Sequence, residues 1–150
     1  MLSPNDILKS ARNILLVDWA DPEVPRTLVK AGFTVFCASP GRYSLVELMM
    51  EYTEVDDSDH VIPPEKGDEG YLVFRQLENR PINVDVVNVY RPEAEHAEII
   101  AHHVLPLGAR VLWLQPSIGS GVARDLAIEK GLVLVEGIDI AYEARHLGQK

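Results

Sequence analysis

The chain has 150 residues, a formal net charge of −9 and 47% hydrophobic residues, which predicts one domain with a buried core rather than a disordered segment. The acidic excess argues against nucleic-acid binding, since that depends on clustered lysine and arginine side chains. The sequence has no apolar run of the roughly 20 residues that span a bilayer, no apolar signal-peptide core near Met1, and one cysteine, Cys37, which fits a reducing cytoplasm.

The first forty residues predict a short helix followed by a βαβ unit. Ser3 and Pro4 begin the helix, because serine caps helix N-termini and proline suits the first turn. A second helix begins near Pro22, with Asp21 as its cap, and ends at Gly32. The strands on either side of it are predicted at Ile14–Val17 and Phe33–Ala38.

Residues 42–81 carry a weaker pattern. Leu45–Tyr52 predicts a short helix, and Tyr71–Leu77 fits either a short strand or a helical turn. Between them, Glu54–Gly70 concentrates carboxylates and includes two consecutive prolines, so we expect an exposed loop there.

The second half alternates short apolar strands with helices. The strands are predicted at Val84–Val89, Val111–Leu114 and Leu132–Val135, and the helices at Glu93–Leu105, Gly119–Lys130 and Ile138–Leu147. Such alternation predicts an α/β domain whose sheet is parallel, doubly wound and of about five strands, with right-handed crossovers. In these sheets ligands bind beyond the carboxyl ends of the strands, and polar residues follow the strands here.

The loop after the first strand lacks the glycines of a dinucleotide fingerprint. No glycine lies between Ile14 and Ala31, and Asp18 and Asp21 place negative charge where a phosphate would bind. An ordinary turn with Asp21 as helix cap explains the same residues.

Polar residues after the other strands are candidate ligand contacts. Arg26, Arg42 and Arg91 form a local basic patch if the loops converge, because arginine suits phosphate and carboxylate oxygens; each otherwise serves as a solvated or ion-paired charge. Gln115 can bond a ligand amide, and Ser117 either contacts an anion or only caps the next helix.

The residue pattern favours neither a metal centre nor a catalytic site. No HExxH, Cys-His or calcium-loop pattern is present, and no G-x-S-x-G motif or Ser/His/Asp trio indicates a nucleophile. Cys37 lies within a predicted strand and is expected in the core. The groups considered and set aside as metal ligands are His96, His102 and His103, and Asp56, Asp57, Asp59 and His60.

Three segments carry a resemblance to a known family. They are Leu28–Val35 (LVKAGFTV), Val84–Arg91 (VDVVNVYR) and Gly108–Gln115 (GARVLWLQ), and Ala38–Tyr43 (ASPGRY) adds a weaker match. Together, in this order, they resemble the stand-alone CoA-binding domains, which share the Rossmann-like fold of the N-terminal domain of the succinyl-CoA synthetase α subunit. The resemblance spans about Ile7 to Val135, with acidic residues 52–70 as an insertion into one domain that covers 1–150.

The resemblance implies that the first two βα loops and the strand ends hold the nucleotide end of CoA. Carried over by position, it implicates Ser39, Pro40, Arg42, Tyr90, Arg91 and Gln115. Trp19 fits either stacking on an adenine or a lid over the core. The chain departs from the family at Asp18-Trp19-Ala20, where the family usually has a glycine, and at Ser39, where it has asparagine.

Two functions follow from these patterns. The first is non-catalytic binding of CoA, an acyl-CoA or a related nucleotide at the carboxyl ends of the strands. The second is a divergent family member that has lost nucleotide binding and acts as an interaction or regulatory module, as the acidic first loop suggests. An enzyme acting on CoA thioesters lacks a nucleophile or base in the pattern, and a homodimer or a protein partner stays open.

Overall fold

The computed structural model describes residues 2–39, 42–52, 60–66 and 69–147. Its eight-stranded sheet has the order β4-β5-β3-β2-β1-β6-β7-β8. The strands are β1 (Asn13–Val17), β2 (Thr34–Ser39), β3 (Arg42–Met49), β4 (His60–Ile62), β5 (Tyr71–Gln76), β6 (Val86–Val89), β7 (Val111–Leu114) and β8 (Val133–Val135). The helices are α1 (Pro4–Ser10), α2 (Glu23–Lys30), α3 (His96–Ile99), α4 (Gly121–Lys130) and α5 (Ile140–Arg145), and α3 is preceded by a 3-10 turn (Glu93–Glu95) and followed by a π turn (Ile100–Val104).

The predicted parallel sheet is confirmed as the centre of a larger one. β2, β1, β6, β7 and β8 are parallel neighbours in that order. The count of about five strands was too low, because β3, β5 and β4 extend the β2 side with antiparallel pairs. The domain is therefore an α/β fold of Rossmann-like type with an antiparallel extension.

The antiparallel extension overturns one predicted helix. Leu45–Tyr52 was expected to be helical, but Arg42–Met49 forms β3 and pairs with both β2 and β5. Hydrogen bonding to two neighbours outweighs the local helix preference of its leucine, glutamate and methionine residues. Tyr71–Gln76 is β5, and His60–Ile62 in the predicted acidic loop is β4. Residues 53–59 and 67–68 of that loop, including Asp56, Asp57 and Asp59, lie outside the described residues.

The helix ends follow the local signals except at two N-termini. The N-cap residue of α2 is Pro22 and not the predicted Asp21, although Asp21 Oδ1 accepts from the backbone N–H of Glu23 at 2.8 Å. The Ser3 hydroxyl accepts from the backbone N–H of Asp6 in a capping box, and Gly32 and Gly131 adopt left-handed φ values of 99° and 71°. The predicted capping role of Ser117 is wrong, because the Ser120 hydroxyl accepts from Ala123 N–H at 2.9 Å and caps α4. The glycines thus predicted the ends of α2 and α4 correctly, whereas the sequence did not show which serine caps the beginning of α4.

Two layers of helices cover the sheet. Alternate side chains of β1 point to opposite faces: Ile14 and Leu16 pack with α1, α2 and α5, whereas Leu15 and Val17 pack with the segment 93–104 and α4. Trp113 is fully buried on the face covered by α1, α2 and α5. No helix among the described residues has the length and apolar character needed to cross a membrane.

Candidate functional site

A cavity of about 530 Å³ opens at the carboxyl edge of the sheet, beyond β1, β2 and β6. The chain runs from β1 to β2 on one side and later returns to place β6 on the other side of β1. This reversal is a topological switch point, the usual ligand position in open parallel sheets. The lining residues are Val17, Asp18, Trp19, Ala38, Arg91, Glu95, Glu98, Ile99, His102 and His103.

One wall of the cavity is a stripe along the helical segment 93–104. Glu95, Glu98 and His102 are three and four residues apart, so they project from one helix face toward the strand ends. The sequence analysis did not predict this stripe, although its spacing of three and four residues is visible in the sequence. His102 and His103 both line the cavity; neighbours on a regular α-helix diverge, but this pair lies within the π turn.

Arg91 is the centre of the polar end of the cavity. Its Nη1 donates to Asp18 Oδ2 at 3.0 Å, and its Nε and Nη2 donate to Glu95 Oε1 and Oε2 at 3.1 and 2.6 Å. The hydrogen bonds with Glu95 and then Asp18 raise the pKa of Arg91, and the bond with Arg91 lowers the pKa of Glu95. Carboxylates on two elements therefore hold this guanidinium in place.

The cavity is acidic despite this arginine. Among the described lining residues, the carboxylates of Asp18, Glu95 and Glu98 outnumber the one guanidinium, that of Arg91. Burial lowers the pKa of His103, with His102 adding to the effect, so His103 adds no charge at neutral pH. The predicted basic patch is absent from the described lining.

His103 is fixed by Tyr43. The Tyr43 hydroxyl lies 2.7 Å from His103 Nδ1, and the two rings meet edge to face at 5.5 Å. Burial raises the pKa of Tyr43, so its hydroxyl stays protonated. This contact joins β3 to the π turn at the cavity.

Trp19 lies in the cavity lining and also packs on the protein interior. Its ring lines the cavity and also stacks on Phe74 of β5, with centroids 5.2 Å apart and planes 12° from parallel. One face of the indole is thus covered by the antiparallel extension. The side chain packs against the core cluster of the α2 layer as well.

Gln115 is fully engaged inside the protein. Its Oε1 accepts from Asn88 Nδ2 and from the backbone N–H of Ile140, both at 3.0 Å, and its Nε2 donates to Asp139 Oδ1 at 3.0 Å. The side chain is buried and joins β6 and β7 to the beginning of α5. These contacts give Gln115 a structural role at the position where the resemblance implied a ligand contact.

The three arginines of the predicted basic patch do not meet at the cavity, because Arg26 and Arg42 bond other parts of the protein. Arg26 is buried, and its Nη1 donates to the carbonyls of Glu69 and Gly70 at 3.0 and 2.8 Å, which ties α2 to the start of β5. Arg42 donates to Gln76 Oε1 at 3.2 Å across β3 and β5, and it is not among the described residues that line the cavity.

The other predicted contacts are not among the described residues that line the cavity. Ser39 ends β2 opposite Arg42, and Pro40 lies outside the described residues. The half-buried Tyr90 donates its backbone N–H to Val17 O at 3.1 Å, and Ser117 is exposed with a φ of 70°.

The histidines of the segment 93–104 have different surroundings. His96 is buried with Nε2 at 2.7 Å from the Arg91 carbonyl, whereas His103 is among the residues that line the cavity. Among the described residues, no group of three or more His, Cys, Asp or Glu side chains is arranged to hold a metal ion. Cys37 is buried in the core as predicted, and burial raises the pKa of its thiol.

The sequence profile of the family described as "CoA binding domain" matches residues 22–141, more than half of the chain. The chain belongs to the CoA-binding domain family. The match covers every strand from β2 to β8 and includes Arg91, Glu95 and the histidines of the cavity. Among curated proteins, no sequence matches the chain significantly.

Solved structures share the fold of this CoA-binding domain. Prb, a protein redesigned for binding, has a TM-score of 0.64 and 21% identity, with 100% of this chain and 96% of that chain covered. A Thermus thermophilus protein has a TM-score of 0.61 and 17% identity, with 97% and 98% covered. A hypothetical protein from Pyrococcus horikoshii OT3 has a TM-score of 0.57 and 19% identity, with 97% and 92% covered. At these identities the likeness establishes the fold alone.

Proposed function

We propose that this chain binds CoA, an acyl-CoA or a related nucleotide, without chemical change, in the cavity beyond β1, β2 and β6. The observation that carries the proposal is a cavity of about 530 Å³ at the topological switch point of a CoA-binding family member. That volume lies within the range of small-molecule and cofactor sites. The family supports the ligand class, and the cavity supports the location.

The two ends of the cavity suit different parts of such a ligand. Val17, Ala38 and Ile99 supply an apolar wall, and Trp19 adds an aromatic surface. Apolar and aromatic walls suit an adenine ring or the pantetheine arm. Among the described lining residues, Arg91 is the one whose guanidinium can meet a phosphate, since its planar fork matches phosphate oxygens.

The composition of the lining supports binding rather than acyl transfer. Among the described lining residues there is no serine, threonine or cysteine that could accept an acyl group. The thiol of Cys37 is buried, and its raised pKa keeps it protonated and unreactive.

The test is isothermal titration of CoA into the protein, with ADP and NAD as comparison ligands. We expect Arg91→Ala to weaken CoA binding by about tenfold or more, since the substitution removes a charge-assisted contact. Arg42→Ala is the matched control, because it removes an arginine outside the described lining. Equal loss in both variants contradicts the location, and no heat at about 100 µM protein means millimolar affinity or weaker and contradicts the ligand.

A second function is favoured by the pairing of Arg91. Both Asp18 and Glu95 already bond its guanidinium, and Glu98 adds a third carboxylate to the cavity. A member that has lost nucleotide binding and acts as an interaction or regulatory module would have such a self-neutralised site. Protein purified without bound nucleotide and silent in the titration would favour this function over the first.

A further inference from the structure

A carboxylate of the chain itself occupies the anion-binding groups of the cavity. Asp18 directly follows β1, and its Oδ1 accepts from the backbone N–H of Trp19 at 2.9 Å. Its Oδ2 accepts from Arg91 Nη1 at 3.0 Å. A backbone N–H and a guanidinium are the donors with which proteins hold phosphate and carboxylate groups. The strand end is therefore a formed anion subsite that the protein fills with its own side chain.

The backbone at this position is unusual for a residue with a side chain. Asp18 has a φ of 68°, in the left-handed region that glycine adopts without penalty. Strained backbone is retained where the surrounding structure enforces it, and such positions concentrate at functional sites. Asp18 adopts this unfavourable φ, and its side chain is the one that bonds Arg91.

A second carboxylate, that of Glu93, bonds a backbone N–H at the start of α4, outside the described lining of the cavity. Glu93 Oε2 accepts from the backbone N–H of Val122 at 3.2 Å, and this bond is the main cause that lowers the pKa of Glu93. Helix N-termini are the other common anion position at this edge of a parallel sheet. Asp18 and Glu93 thus provide internal anions at two places where a ligand phosphate would be attracted.

We propose that Asp18 is a specificity-determining residue, an internal anion that competes with a phosphate of the ligand for Arg91 and the Trp19 N–H. The identity of the ligand rests on the proposed function above. A phosphate-bearing ligand must displace the Asp18 carboxylate or bind beside it against like-charge repulsion. The phosphate-free part of the same ligand meets no such competition. Asp18 therefore lowers the affinity for the nucleotide end of the ligand selectively.

The experiment compares Asp18→Asn with the parent protein by titration of CoA, ADP and pantetheine. Asparagine keeps the size of aspartate and tolerates a positive φ, so the charge is the main change. We expect CoA and ADP to bind about tenfold more tightly or better, with pantetheine unchanged. Glu129→Gln is the matched control, because it removes an exposed carboxylate beside Lys130, at the end of α4.

The outcomes separate this proposal from the proposed function. CoA binding that is equal in the parent and in Asp18→Asn overturns the role of Asp18 and leaves CoA binding intact. ADP or inorganic pyrophosphate binding to Asp18→Asn alone, with no CoA binding to either protein, supports the role of Asp18 and overturns the CoA assignment. An equal gain in Glu129→Gln shows a general charge effect and overturns the role of Asp18. No binding of any probe to either protein overturns both proposals.

A second variant guards against a folding defect in Asp18→Asn. Asp18→Gly removes the carboxylate and relieves the positive φ, so we expect it to fold at least as stably as the parent. The Nε–H resonance of Arg91 in ¹⁵N-labelled protein gives a direct reading of the guanidinium. We expect CoA to shift this resonance more in Asp18→Gly than in the parent, and an equal or smaller shift overturns the proposal.

Discussion

Replacement of Gln115 by alanine tests whether this residue holds the fold together or contacts a ligand. Its amide makes three hydrogen bonds, to Asn88, Asp139 and the N–H of Ile140, at distances of 3.0 Å. Each such bond contributes about 1 kcal/mol net, so we expect Gln115→Ala to lower the free energy of unfolding by about 3 kcal/mol. In a domain of this size, that corresponds to a fall in Tm of about 6–12 °C.

The loss arises where α5 joins the sheet. Ile140 N–H is among the first donors of α5, which have no partner within the helix, and it is buried with Gln115 Oε1 as its acceptor. Without the amide this donor is left unpaired in the interior, which is the costly case. Asp139 retains its bond from the N–H of Ala141, so the helix loses part of its anchorage and not its cap.

The assay is urea unfolding followed by far-UV circular dichroism, combined with CoA titration of the folded protein. Gln76→Ala is the matched control, because Gln76 is exposed and accepts one hydrogen bond from Arg42. We expect the control to stay within about 0.5 kcal/mol of the parent. The reasoning is refuted if Gln115→Ala unfolds like the control while its CoA affinity falls by about tenfold.

Three further substitutions or reactions test other assignments. Arg26→Met should destabilise the fold by about 2–3 kcal/mol without changing CoA affinity, because it leaves the carbonyls of Glu69 and Gly70 without their hydrogen-bond donor. Unchanged stability in urea would contradict the structural role of Arg26. Cys37 should react with a thiol reagent only as fast as the protein unfolds, because it is buried with a raised pKa, and rapid native-state labelling would disprove this. The hydrogen bond with Arg91 lowers the pKa of Glu95 below its usual value of 4.5, so the stabilisation from this ion pair is complete above that pH and is lost as the pH falls through the folded pKa. The stability gap between the parent and Glu95→Gln should therefore close as the pH falls below 4.5, and a constant gap would exclude the ion pair as its source.

Local patterns predicted the central sheet and the edge where its ligand would bind. The run Val111–Leu114 is buried on both faces, and a continuous apolar run is what a central parallel strand needs. Gly32 and Gly131 end helices because the left-handed φ they adopt is a property of the residue itself. The cavity lies at the carboxyl ends of the strands because the strand order reverses at β1, and an alternation of strands and helices predicts such a reversal.

The tertiary structure decided what each polar side chain does. Gln115 and Arg26 stand at positions where a ligand contact was plausible, but long-range partners absorb their hydrogen bonds inside the fold. Leu45–Tyr52 was predicted to be a helix, but Leu45–Met49 belongs to strand β3, because β2 and β5 pair with it on both sides. The ion pair of Asp18 with Arg91 joins residues 73 apart in the chain. Apolar runs and their periodicity are local features that can be read along the chain. The hydrogen-bond partner of a charged or amide group depends instead on which loops the completed sheet brings together.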